Sequence, residues 1–391
     1  MNTTTIRQRR ALRFEARARV PWALALAAPV GAVAFTLLIC AVLVAWAGAS
    51  VLHAYGLLFE GAFGSRFAIT ETLTRATPLM LTGLAAAVAF RAHFYNIGAE
   101  GQLYVGALAA VAVASALADV SPVVAFPLMI AAGMLAGAVL LLLPALAKTR
   151  LGVDEVVTTL LLNFIALLFV SLMLDGAMKD PMAMGWPQSV AIPEPLTFGK
   201  PLARSRVHSG LIMAIVLGVA LWVIDRRTTL GFEMRAVGAN ARAARFVGIP
   251  VNAVVIRTAL LSGALAGLAG VGEVAGRAGY LTLDMSPGYG YVGIVIAMLA
   301  ALNPLGVLLA ALFVAGVIVG ADSMSRAIGV PTYLADVIVS VSLLSMLVAT
   351  MLARYRVLMG SGLASAYRSP YRRTEGPRSP AKRPSATKVD R

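Results

Sequence analysis

Charge is what this chain has least of. Of its 391 residues only 13% are Asp, Glu, Lys or Arg, against 59% apolar. Soluble domains carry roughly a quarter charged residues. With a mean hydropathy of +0.84, the composition excludes a large-cored soluble enzyme and points to an integral membrane protein. Cys40 is the only cysteine and lies in an apolar run, so there is no disulfide framework or thiol pair. The histidines His53, His93 and His208 are too scattered for a metal cluster. The only glycine-lysine pair, Gly199-Lys200, runs into Pro201, so the lysine and following hydroxyl of a phosphate-cradling loop are missing. If ATP drives this protein, another subunit hydrolyses it. Gly288 to Gly293 matches a dinucleotide fingerprint in letters only: Pro287 precedes it, an apolar stretch follows, and Phe313 stands where an acidic residue is needed. No nucleophile elbow, zinc-protease motif or carboxylate pair supports a membrane enzyme.

The charge that is present is strongly basic, net +15, and its positive residues concentrate in three places: the first 19 residues, Arg226 to Arg245, and the tail after Arg354. This is the distribution of positive-inside membrane proteins. The aromatic residues are not interleaved with the basic runs in the regular way that stacking on nucleic acid would require. The sequence predicts an all-α polytopic membrane protein of eight to ten spans with broken or re-entrant segments and both termini cytoplasmic. Ten spans fit best: 22–48, 68–90, 101–118, 123–147, 153–174, 209–225, 255–273, 289–303, 304–321 and 332–352. Asn303-Pro304 marks either a tight turn between two of them or a kink in one. Residues 1–21 form a basic cytoplasmic arm, 22–352 the membrane domain, and 353–391 a basic tail expected to be disordered. The first apolar run is longer than the roughly 7–15 residues of a signal peptide, so it is expected to stay as a span. The loop 175–208 falls outside. Glycines four apart at Gly133/Gly137, Gly263/Gly267, Gly272/Gly276 and Gly316/Gly320 suit close helix packing.

Between two apolar blocks lies the polar island 226–252. Asn240 is placed to cap a helix from Ala241 to Val247, Gly248 suits the left-handed residue that ends it, and Pro250 stops continuation. Gly231 and Gly238 bracket an earlier short helix, Phe232 to Val237. The island is either a folded docking loop or an ordinary cationic connector; capping alone does not choose.

Polar residues also occur where apolar ones are expected. Asn96-Ile-Gly-Ala-Glu-Gly-Gln102 can unwind a helix beside a translocation path, or make a cytoplasmic turn flagged by Arg91 and His93. Glu100 is costly at membrane depth unless paired or hydrated. Asn163 falls about 13 Å into its span at 1.5 Å per residue, facing either a polar pathway or another helix. Glu273 and Arg277, one turn apart, suit an ion pair.

Taken together, Pro78 to Gly83, Phe94 to Gln102, Asp154 to Thr159 with Asn163, Gly231 to Ile249, and Gly290 to Leu305 resemble the permeases of ABC importers for simple sugars and nucleosides. That wider family includes ribose and branched-chain amino acid permeases, and the similarity runs over roughly residues 68 to 352. The NIGAEGQ form with the DEVVTTLLLN block is closer to the nucleoside branch. The resemblance implies a location in the bacterial inner membrane, a cytoplasmic ATPase subunit holding ATP and magnesium, a second permease subunit and an extracellular binding protein, with no cofactor or metal in this chain. It implies a substrate pathway near Asn96, Glu100, Gln102 and Asn163. It implies coupling to the ATPase through Gly231, Arg235, Gly238, Asn240, Ala244, Arg245, Gly248 and Ile249. Nucleosides are the first expectation for substrate, then simple sugars such as ribose, then branched-chain amino acids. From other classes, a stand-alone secondary transporter would need ionisable residues inside the spans, of which Glu100 is nearly the only one read here. A membrane scaffold would leave the capped loop and the NIGAEGQ break without purpose.

Overall fold

The computed structural model describes residues 11–17, 21–202, 205–329 and 332–360. Two units are described separately. In the smaller, strands β1 (Ala11–Ala16) and β2 (Tyr355–Gly360) pair antiparallel, Ala11 opposite Gly360 and Ala16 opposite Tyr355. Residues 355–360, placed by the sequence in the tail, are therefore paired strand; residues 361–391 lie outside the described residues.

The larger unit is helical. Helix α1 (Trp22–Trp46) is followed by α2 (Val51–Phe63), bent from it by 117°. Next come α3 (Arg66–Arg91), α4 (Ala99–Ala116), α5 (Pro122–Leu146) and α6 (Glu155–Asp175). After a long loop stand α7 (Gly210–Arg227), the short helices α8 (Thr229–Ala239) and α9 (Ala241–Phe246), and α10 (Val251–Gly272). The chain ends this unit with α11 (Tyr289–Leu299), α12 (Pro304–Ile328) and α13 (Thr332–Arg354). Helices α5 and α10 each run on into a π-helical turn, Ala147–Leu151 and Glu273–Ala278.

Among the described residues seven helices are long and apolar enough to cross a membrane, or eight if α1 and α2 make one span. Three expectations change. Residues 289–303 do not span: α11 has 11 residues, about 16 Å at 1.5 Å per residue against a hydrocarbon core of about 30 Å. Helix α7 is apolar enough only up to its last turn, where Asp225, Arg226 and Arg227 enter. Helix α2 had no place in the sequence reading, because Gly48 at φ +80° ends α1 and turns the chain. At Asn303-Pro304 there is a tight turn: Ala301 and Leu302 take φ +55° and +61°, and Asn303 Oδ1 caps Leu305 N at 3.3 Å.

Helix α3 is the centre, buried almost throughout, with α7, α10, α11 and α12 packed around it and α4 and α5 packed in turn against α10. The glycine pairs of α5 and α10 face each other. A Cβ on Gly137 would lie 2.2 Å from Gly263 O, and one on Gly267 2.2 Å from Gly133 O, so only glycine allows these backbones to meet. The apolar side chains of α6 that face away from the bundle, among them Leu161, Phe164, Ile165, Leu168 and Leu172, are exposed, as a lipid-facing surface requires. The loop between α6 and α7 folds back on the second π-helical turn, Ile192 N donating to Gly279 O at 2.8 Å and Phe198 N to Ala275 O at 2.8 Å.

Candidate functional site: a broken span and the loop that reaches it

Helix α3 stops at Arg91, and from Ala92 to Gly98 the chain is not helical, with His93 at φ +53°. The break thus lies slightly before the place the glycines suggested. Glu100, Gly101 and Gln102 are already in the first turn of α4, and Gly101 serves close approach: a Cβ there would lie 2.8 Å from Asn163 Oδ1.

The freed backbone groups of the break are met by one face of α6. Glu155 Oε1 accepts from Tyr95 N at 3.3 Å, Thr159 Oγ1 from Ile97 N at 3.2 Å, and Asn163 Oδ1 from Gly101 N at 2.7 Å. Residues four apart lie one above the other on a helix, so these three side chains are successive rungs and the unwound segment runs up along them. Asn163 Nδ2 also donates to Ile97 O at 2.9 Å and to the Tyr291 hydroxyl at 3.1 Å. Glu155 and Thr159 escaped the sequence reading as site residues. Their four-residue spacing to Asn163 was the available signal.

The other expected residues close the same knot. Asn96 Nδ2 donates to Gln102 Oε1 at 3.0 Å and to Ser262 Oγ at 3.1 Å, while Asn96 Oδ1 accepts from Gln102 Nε2 and Gly98 N, both at 2.9 Å. Ser262 donates in turn to Ala85 O of α3 at 2.8 Å. Glu100 Oε2 accepts from Gly290 N of α11 at 2.6 Å. Asn96, Glu100, Gln102 and Asn163 are all buried, and all four join in one cluster of α3, α4, α6, α10 and α11. Irregular backbone at membrane depth persists only where protein satisfies it; here Asn96 and Asn163 meet backbone groups of residues 97–101 directly, Gln102 braces the Asn96 side chain, and Glu100 ties the start of α4 to α11. At the α3 end of the break Lys148 pairs with Glu155 and donates to His93 O at 3.2 Å.

The polar island folds as two short helices. Thr228 Oγ1 caps α8 through Gly231 N at 3.3 Å. Asn240 Oδ1 caps α9 through Arg242 N and Ala243 N, both at 3.0 Å. Gly248 at φ +89° ends α9, with Ile249 N bonded back to Ala244 O at 3.0 Å, and Pro250 leads into α10. Gly231 and Gly238 do not bracket α8 but lie inside it. A Cβ on Gly231 would meet Ile224 O at 2.3 Å, and one on Gly238 would meet Arg91 O at 2.1 Å. These two glycines let α8 press on the ends of α7 and α3. Arg235 pairs with Asp225 at 3.1 Å. Ala244 is buried, whereas Arg242, Arg245, Phe246 and Val247 are exposed, an apolar and cationic face without a partner among the described residues.

Away from this site, Glu273 and Arg277 form the expected ion pair, 2.6 Å apart. Glu71 and Arg75 of α3, overlooked among the ionisable residues of the spans, pair at 3.6 Å, and Arg75 reaches Asp322 at 3.4 Å. In the loop before α7 His208 is buried, and that burial, helped by the charges of Arg277 and Lys200, pushes its pKa down to about 4.

With this geometry in place, comparison with known proteins gives a single direction. The profile of the family described as branched-chain amino acid transport system / permease component matches residues 68–347. The glucose ABC transporter permease protein of Haloferax volcanii is 37% identical over 88% of this chain and 93% of its own length. The guanosine ABC transporter permease protein of Bacillus subtilis is 35% identical over 76% of this chain and 86% of its own. The nucleoside ABC transporter permease protein of Lactococcus lactis is 32% identical over 79% and 87%. A match of this extent, on a multi-pass helical bundle, shows that the chain belongs to the branched-chain amino acid-type family of ABC transporter permease subunits.

Proposed function

We propose that this chain forms, with a second permease subunit, the membrane pathway of an ATP-driven nucleoside importer. A separate ATPase subunit would supply ATP and magnesium chemistry, and an extracellular binding protein would deliver the ligand. The observation that carries the reading is mechanical. The capped helix α9, through Gly248 and Pro250, leads directly into α10, and Ser262 of α10 bonds Asn96 of the broken span at 3.1 Å. Movement of the exposed face of α9 by a docked ATPase would therefore reach the break through one rigid helix. In this reading Asn96, Glu100, Gln102 and Asn163 brace the wall of the pathway, their polar groups already engaged by protein. Gly231, Arg235, Gly238, Asn240, Ala244, Arg245, Gly248 and Ile249 shape and seat the coupling loop.

Nucleosides are favoured by the NIGAEGQ form and by the guanosine and nucleoside relatives. A simple sugar is the second reading, favoured by the glucose permease relative. The test has two steps. A mild-detergent pull-down of the tagged chain from its native membrane is expected to recover an ATPase subunit and a second permease. A chain that repeatedly comes down alone would overturn the importer reading. Uptake of labelled guanosine is then challenged with excess uridine or glucose: competition by uridine alone supports nucleosides, and competition by glucose alone selects the sugar.

A further inference from the structure

Asp225 closes α7 at the cytoplasmic end and is buried, its side chain 9% exposed. Its two oxygens are held by different elements. Oδ2 accepts from Arg91 Nη2 at the end of α3 at 3.1 Å, and Oδ1 faces Arg235 Nη1 of α8 at 3.1 Å. Each arginine takes a second oxygen: Arg91 donates to Leu302 O at 2.8 Å, and Arg235 to the Asp225 carbonyl. Three helices therefore meet on one carboxylate, and through Arg91 it is tied to Leu302, in the turn where two successive non-glycine residues have positive φ, a conformation that persists only when its surroundings hold it. The arms are unequal. The Arg235 side chain is 39% exposed and that of Arg91 23%.

We propose that Asp225 is the positioning residue through which movement of the cytoplasmic loop is delivered to α3 and to the α11–α12 turn, with Arg235 as the releasable arm and Arg91 as the fixed one. This deepens, and rests on, the reading of the chain as an ATP-driven permease. A buried carboxylate stripped of both partners is strongly unfavourable, so displacing α8 leaves two arrangements, Asp225 shared by both arginines or held by Arg91 alone. The glycine contacts of α8 on Ile224 O and Arg91 O make the helix bear on this joint whenever it shifts. Such a two-state element is the physical requirement for coupling between distant sites.

The test uses the complex purified with its ATPase subunit, in a Cys40→Ala background carrying Ala301→Cys beside the clamped turn. Maleimide labelling of that cysteine is followed with and without ATP and vanadate. The unmodified joint is expected to show a several-fold change of labelling rate on ATP. Asp225→Asn is expected to make labelling indifferent to ATP while the complex still hydrolyses ATP, a separation that a merely structural residue would not produce. The charge-keeping Asp225→Glu and Arg91→Lys are expected to retain part of the response, and they carry the test if Asp225→Asn does not assemble. An ATP response in Asp225→Asn equal to that of the parent overturns the proposal, as does a parent with no response. Failure of any ATPase subunit to co-purify overturns the permease reading itself, and is seen before labelling begins.

Discussion

At the scale of the residue, Asn163 and His208 make the sharpest cases. Asn163 stands about 12 Å into α6 and satisfies Gly101 N and Ile97 O with one amide. Replacing it by Leu keeps the volume and strands both backbone groups in a dry place, each at about 1–3 kcal/mol. Asn163→Leu is therefore expected to lower the melting temperature in detergent by several degrees, whereas Phe164→Leu on the lipid face should leave it nearly unchanged. Equal melting temperatures for the two would show that the rung is not structural. His208 sets a pH dependence. Its folded pKa of about 4 lies below the ordinary 6.5, so the folded protein holds it neutral while the unfolded chain takes up a proton first. The stability this contributes is whole above about pH 6.5 and is lost as the pH falls toward 4. Thermal melts at pH 7 and pH 5 are expected to show a drop at acid pH that is smaller in His208→Phe.

Residue chemistry of this kind was only partly visible in the chain. The capping of α9 by Asn240 and the stop at Gly248 could be read because both are local: a side chain bonds the next two or three amides, and a positive φ favours glycine. The pairing of Glu273 with Arg277 is local in the same sense. The rungs Glu155 and Thr159 were not read, because what they bond is some sixty residues away. Asp225 could not be recognised as a joint for the same reason.

At the scale of the element, spacing and composition located nearly every helix, but length and backbone approach decided what each one does. Helix α11 looked like a span when its apolar run was joined to the turn that follows. The positive φ at Ala301 and Leu302 cuts it to half a bilayer. Glycines in α8 resembled end signals and are contact surfaces, because this short helix has to lie against the ends of two others. The element-level prediction concerns α10. A Cβ on Gly270 would lie 1.9 Å from Leu103 O, backbone that cannot step aside, so Gly270→Ala is expected to separate α10 from α4 and to leave little folded, monodisperse protein on size exclusion. Gly272→Ala, with nothing within 4 Å of its Cβ, should behave like the parent. On the loop, Asn240→Ala removes the α9 cap, worth about 1 kcal/mol. It is expected to weaken recovery of the ATPase subunit in the pull-down while membrane insertion is unchanged. Recovery at the parental level would argue against α9 as the docking helix.

At the scale of the whole molecule, the sequence alone determined the class. Low charge, long apolar runs and cationic segments between them leave a helical membrane bundle as the only way to satisfy every backbone group in lipid, and the family follows from a match across most of the chain. The sequence also determined where helices begin and end when a cap or a glycine sits at the boundary. Only the tertiary structure decided which polar residues belong together. The knot of Asn96, Gln102, Ser262, Glu155, Thr159 and Asn163 draws on three helices and the unwound segment, and the Asp225 joint draws on three helices and a turn. The physical reason is that a buried polar group is stable only with its partner present, and that partner is chosen by packing, in which small residues on α4, α5 and α10 let the backbones close to contact.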